Sequence, residues 1–191
     1  MTADITFDCL NAPIGGIEQN VVLINKDDID VTATTTSATN RLQVTHIQLK
    51  PGKIGYKLTG VKQANGKAWE LVKKENAPDK FKHTFSGVIF SPNLANKTQA
   101  DNLSKGAKYV AVIEQVWKGA ANADAFEVLG LTSGLELTTM TNSSKENDNM
   151  IMFELSSAEG FEETTMPKTY FADQETYAIR KALFDNAFVE D

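Results

Sequence analysis

Alternation of apolar and polar positions dominates this chain, and helical spacing enters only twice. Residues 5–9 place Ile5, Phe7 and Cys9 on one side of an extended segment. Val21–Ile24 is a continuous apolar run, the pattern of a buried strand. Between them, Asn11-Ala-Pro-Ile-Gly-Gly reads as a loop. Residues 29–36 are rich in threonine and poor in large apolar side chains, which predicts a strand with one wet face. The run from Leu42 alternates at 42 and 44, then slips phase to 45, 47 and 49, so a bulge is expected near His46. Asn65-Gly66 favours a tight hairpin, with strands about Val61 and Trp69 on either side. Phe81, His83 and Phe85 carry period two towards Val88-Ile-Phe. Further strands are expected over Tyr109–Trp117, Ala125–Leu131, Leu135–Thr139 and Met150–Ser156, with a polar loop from Asn142 to Asn149.

Helix is expected from Ser91-Pro to Gly106, polar and anchored by Leu94 and Leu103. A second helix, about 173–186, has an Asp173 cap and apolar Tyr177, Ile179, Leu183 and Phe184. Many short strands with turns between them and two helices predict a mainly β chain of the α+β kind, a β-sandwich or barrel with helical additions. No repeat or linker divides it, so residues 1–191 read as one domain, with an extended loop or arm around 29–41.

Length and charge narrow the function. A chain of 191 residues can bury a core without disulfide or metal. Its net charge of -6 argues against a free duplex-DNA binder. The single cysteine, Cys9, cannot make an intrachain disulfide and reads as a small buried side chain. The start lacks a basic, apolar leader, and no run reaches the roughly 18 apolar residues of a membrane span. A soluble chain made in a reducing compartment is expected. The three glycosylation triplets at Asn96, Asn102 and Asn142 then read as chance.

Candidate chemistry is sparse. Gly60 to Ala68 resembles a phosphate loop, but its spacing is one residue too long and Ala68 replaces the hydroxyl that would hold magnesium. Asp27, Asp28 and Asp30 lack the glycine hinge of a calcium loop. One cysteine and two histidines, His46 and His83, make a poor zinc set, and no nucleophile elbow is present. No catalytic, cofactor or metal residue is expected. Trp69 and Trp117 read as core aromatics, though a sugar-binding module would expose them.

Two stretches carry a resemblance. One is Cys9-Leu-Asn-Ala-Pro-Ile-Gly-Gly-Ile with Val22-Leu-Ile-Asn-Lys-Asp-Asp-Ile following; the other runs from Ala125-Phe-Glu-Val-Leu-Gly-Leu through Met150-Ile-Met-Phe-Glu-Leu to Met166-Pro-Lys. Their order resembles tail-tube-like virion proteins of phages that infect Bacteroides, including crAss-like phages. The likeness spans the first 30 residues or so and about 109–184, and leaves the middle unmatched. It implies a sandwich or barrel of the phage tail-tube type, closing with copies of itself into a six-fold tube ring or a twelve-fold neck ring. Implied partners are neighbouring tail, neck or portal proteins and genomic DNA passing through the lumen without specific binding, with no membrane. The implied location is the virion, after synthesis in the host bacterial cytoplasm. The net negative charge would keep DNA from sticking to the wall. Loop and edge character then selects Pro13, Gly15, Gly16, Thr34, Thr35, Thr36 and Arg41 as intersubunit contacts. A carbohydrate- or receptor-binding sandwich and a small hydrolase are the competing expectations.

Overall fold

A computed structural model describes residues 4–5, 12–171 and 176–189. Residues 6–9 of the strand expected at 5–9, Cys9 among them, fall outside the described residues. The apolar runs become the middle of a seven-stranded sheet, ordered β2-β3-β11-β8-β7-β1-β4. Its members are β1 (Ile17–Asn25), β2 (Thr35–Thr36), β3 (Gln43–His46), β4 (Tyr56–Thr59), β7 (Tyr109–Gln115), β8 (Phe126–Leu129) and β11 (Lys168–Tyr170). A second sheet, ordered β5-β6-β10-β9, contains β5 (Gly66–Val72), β6 (Lys80–Ile89), β9 (Glu136–Asn142) and β10 (Ile151–Ser156). Two helices complete the fold, α1 (Leu94–Leu103) and α2 (Tyr177–Asp185). The expectation of a mainly β chain with two helices therefore holds. Both sheets stay open among the described residues, so the fold is a sandwich and the barrel option falls away.

Burial on both faces explains why β1 and β7 lack clean alternation. Val21, Leu23, Ala111 and Ile113 pack between the sheets against Phe85, Phe153 and Leu155. Val22, Ile24, Val110 and Val112 face the other way, into a second core with Tyr170, Phe184 and Phe188. Strand β6 of the second sheet spans several strands of the first. Near one end of β6, the His83 ring accepts from Gly130 N–H just past β8, and near the other Gly87 approaches Leu58 of β4. Gly87 is required there, because a Cβ would stand 2.4 Å from the Phe153 ring that lies over it.

Several expectations need correction. Asn65-Gly66 does not join a hairpin. β4 pairs with β1 in one sheet and β5 with β6 in the other, so residues 60–65 carry the chain between sheets. A turn signal fixes a local bend, not the partner of the next strand. The Asn65 side chain secures the passage by accepting from Val88 N–H at 3.1 Å. The wet strand at 29–36 shrinks to Thr35–Thr36, because Asp30 closes a turn on Thr32 N–H and Ala33 N–H at 2.9 and 3.2 Å. Residues 29–41 fold back on their own sheet: Ile29 bridges Leu49, and Ser37 N–H donates to Gln43. The bulge expected near His46 is present, since Thr35 faces His46 while Thr36 faces Val44, leaving Thr45 extra.

Helix α1 starts at an Asn93 cap that accepts from Asn96 N–H, two residues later than expected. Leu94 is not an anchor; it is 83% exposed, and Ala100 is the buried contact. α2 is capped by Thr176, Asp173 lies outside the described residues, and Ile179 points to solvent while Phe184 is buried. The three-residue β11 lacks an alternating signature and escapes sequence reading. No helix among the described residues is long and apolar enough to cross a membrane.

Candidate functional site

The residues singled out for chemistry have been absorbed into the fold. The His83 ring is buried between backbone groups: Nδ1 accepts from Gly130 N–H at 3.2 Å, and Nε2 lies 2.9 Å from the Thr165 carbonyl. That pattern assigns the proton to Nε2 and leaves neither nitrogen for catalysis. Burial pushes its pKa down, against the opposing charge of Glu163 and the Thr165 bond. His46 Nε2 meets the Gln48 side chain at 3.0 Å. The aspartates diverge into separate tasks. Asp28 pairs with Lys53 at 2.9 Å and accepts from Asn25, while Asp30 closes its turn. In the loop that resembled a phosphate cradle, Gly60 backs onto Phe90, and Lys67 reaches across to Glu127.

A buried charged cluster went unnoticed in the sequence. Glu114 of β7 receives bonds from Lys118 and from the Tyr177 hydroxyl, and pairs with Lys181 at 3.3 Å. Burial raises the Glu114 carboxyl, but these hydrogen bonds and lysine charges outweigh it and hold the group below the usual carboxylate range. Tyr177 is pushed up to about 12 by burial, then by its bond to Glu114 and the charge there. The cluster clamps α2 to the sheet, with Tyr177 stacked on Phe126 at 5.8 Å.

The residues chosen as contacts sit in two places. Pro13, Gly15 and Gly16 are exposed on the lead into β1, where the Gly16 carbonyl accepts from Val116 N–H. Thr35 and Thr36 are exposed on edge strand β2, and Arg41 lies in the exposed turn before β3. Thr34 is half-buried and spends its hydroxyl on the Gln48 backbone. Four strands separate β1 from β2, so the two groups stand apart.

Sheet edges are the more developed surface. β5 and β9 are the outer strands of the second sheet, each seven residues long. Every neighbouring pair in this sheet is antiparallel. With four strands, β5 and β9 therefore run in opposite directions. Phe85 and Phe153 turn inward, so Thr84, Ser86, Met152 and Glu154 turn outward. This outer face continues through Glu70 of β5 and Thr139 and Thr141 of β9. It is rich in hydroxyls; Lys82 pairs with Glu70 at 3.5 Å, and the Glu154 carboxylate accepts from the Thr138 hydroxyl. The threonine-rich, wet strand expected at 29–36 is not there; β9, with Thr138-Thr-Met-Thr, carries that composition instead. Trp69 on β5 is 46% exposed and meets Phe81 edge-on at 5.8 Å.

Beside β4, an outer strand of the seven-stranded sheet, lies a groove of about 590 Å³ between that strand and α1. Leu23, Leu58, Ile89, Leu103 and Phe153 line it.

Comparison with known protein families, characterised proteins and solved structures gave no match, so the functional reading rests on this geometry.

Proposed function

We propose that this chain is a non-enzymatic virion structural protein that forms a ring of a phage tail tube or head-tail neck and lines the channel for genome passage. One observation carries the reading. The second sheet ends in two open strands of equal length that run in opposite directions. Setting β9 of one copy beside β5 of the next continues the antiparallel ladder without reversing a subunit. Such a contact is heterologous and closes into a ring when its rotation closes. The hydroxyl-rich outer face of that sheet then becomes the channel wall. The pairing of Lys82 with Glu70 and the net charge of -6 give phosphate little to hold. Neighbouring tail, neck or portal proteins are the partners of such a ring, and the exposed lead into β1 and edge strand β2 are further contact surfaces for them.

The test is mass by light scattering on the purified chain, with negative-stain imaging of the same sample. Rings or stacked tubes are the expected result. A monomer at every concentration, with no rings on the grid, overturns the reading. Trp69 favours a second one, in which the chain is a carbohydrate- or receptor-binding sandwich that uses this exposed edge aromatic. That reading expects a monomer that binds a glycan array and loses binding in Trp69→Ala.

A further inference from the structure

We infer that β4 and the groove beside it form a docking site for an extended peptide strand with apolar side chains at alternate positions and a carboxylate facing Lys57. The site belongs to the seven-stranded sheet and does not rest on the ring reading.

Three observations converge. β4 pairs with β1 on one side, and its other side carries no strand among the described residues. Main-chain groups on such an edge are a template for another strand. Next to this edge the surface is hollow rather than flat. The groove of about 590 Å³ has an apolar floor of Leu23, Leu58, Ile89, Leu103 and Phe153, within the size range of sites that bind ligands. A strand laid along β4 turns every second side chain towards that floor.

Charge then selects the occupant. The chain carries -6 overall, yet the groove lining contains Lys57 and Lys105 and no carboxylate. Lys105 is already engaged, with Asp101 at 3.2 Å and Asn102 Oδ1 at 2.8 Å. Lys57 is exposed and makes no ion pair among the described residues. An edge lysine is also a guard against unwanted strand pairing. The two roles agree, because a cation that repels basic strands and penalises purely apolar ones admits a strand that brings a carboxylate.

The test is a display library of random seven-residue peptides panned against the full chain. Enriched peptides are then synthesised, and amide hydrogen exchange is followed with and without them. The inference expects enriched sequences that alternate apolar residues and include Asp or Glu. They should slow exchange at residues 56–59, and Lys57→Glu should weaken their binding about ten-fold or more. Enrichment of nothing above background overturns it. So does protection confined to β5 or β9, or unchanged binding to Lys57→Glu. Decanoate serves as a small amphiphile control: if it alone protects residues 56–59 and no peptide does, the groove is a small-molecule pocket and the strand-docking inference fails.

Discussion

His83 shows how a residue that looks chemical becomes structural. Its ring links β6 to the Gly130 turn and the Thr165 carbonyl, and Glu163 completes the knot by accepting from Thr132 and Ser133 N–H. Burial lowers the folded-state pKa of His83 below its usual 6.5. The unfolded chain therefore binds its proton first as pH falls. The stability this neutral ring contributes is present above about pH 6.5 and is lost on acidification through the window between 6.5 and the lower folded value. Urea midpoints measured from pH 8 to 5 should fall across that window, and His83→Gln should flatten the fall. A slope unchanged in the variant would assign it to another group. Glu162 acts lower down. The Lys74 hydrogen bond is the main cause that brings it from 4.5 to about 2, so its contribution disappears between those values. Gly87 gives a steric test. Gly87→Ala drives a methyl into the Phe153 ring and should cost about 1–3 kcal/mol in the same titration.

Elements differ in how plainly the chain announces them. β10 was legible because its inward positions, Ile151, Phe153 and Leu155, are all large and apolar, and β6 because it keeps period two through Phe81, His83 and Phe85. α2 was legible by periodicity, but what holds it was not. Arg180 lies buried beneath the helix, reaches the carbonyls of Asn122, Ala123 and Tyr170, and stacks on Phe171 at 4.6 Å. A charged residue within an apolar helix face looks like a solvent position until tertiary structure supplies its acceptors. Arg180→Met keeps much of the packing volume and removes the donors. It should cost roughly 1.5–3 kcal/mol, read as a lowered denaturation midpoint. β2 and the 60–65 crossing were illegible for another reason. Propensity describes a residue's own conformation, whereas pairing depends on residues far away in the chain. The edges were the least visible of all. β5 and β9 matter for what they leave unpaired, and no sequence pattern marks a missing neighbour.

Across the whole molecule, the proposed ring closure gives a geometric prediction. β5 and β9 lie three strand spacings apart within one chain, roughly 14 Å, which is beyond the reach of a disulfide. A chain carrying Glu70→Cys together with Thr139→Cys or Thr141→Cys, in a Cys9→Ser background, cannot crosslink itself across the sheet. Oxidation should instead give a ladder of covalent dimers, trimers and higher species on a denaturing gel. Only monomer from both pairs, under conditions where the chain is concentrated, would sink edge-to-edge assembly. Each single-cysteine variant should stop at dimers, which separates joint formation from random collision.

The passage through residues 60–65 has a thermodynamic consequence. It ties the end of β4 directly to the start of β5, and it is itself pinned, with Gly60 N–H donating to Gln19 and Gln63 N–H to Ile17. The edge proposed for a peptide and the edge proposed for the next copy are thus successive strands on one short, anchored tether. Linkage is reciprocal. Whatever factor a docked strand applies to the affinity between copies, closure of the ring applies to the affinity for that strand. In the proposed ring, any such factor other than one makes a free chain and a ring member different receptors for the proposed peptide, and so sets the order in which the two partners arrive.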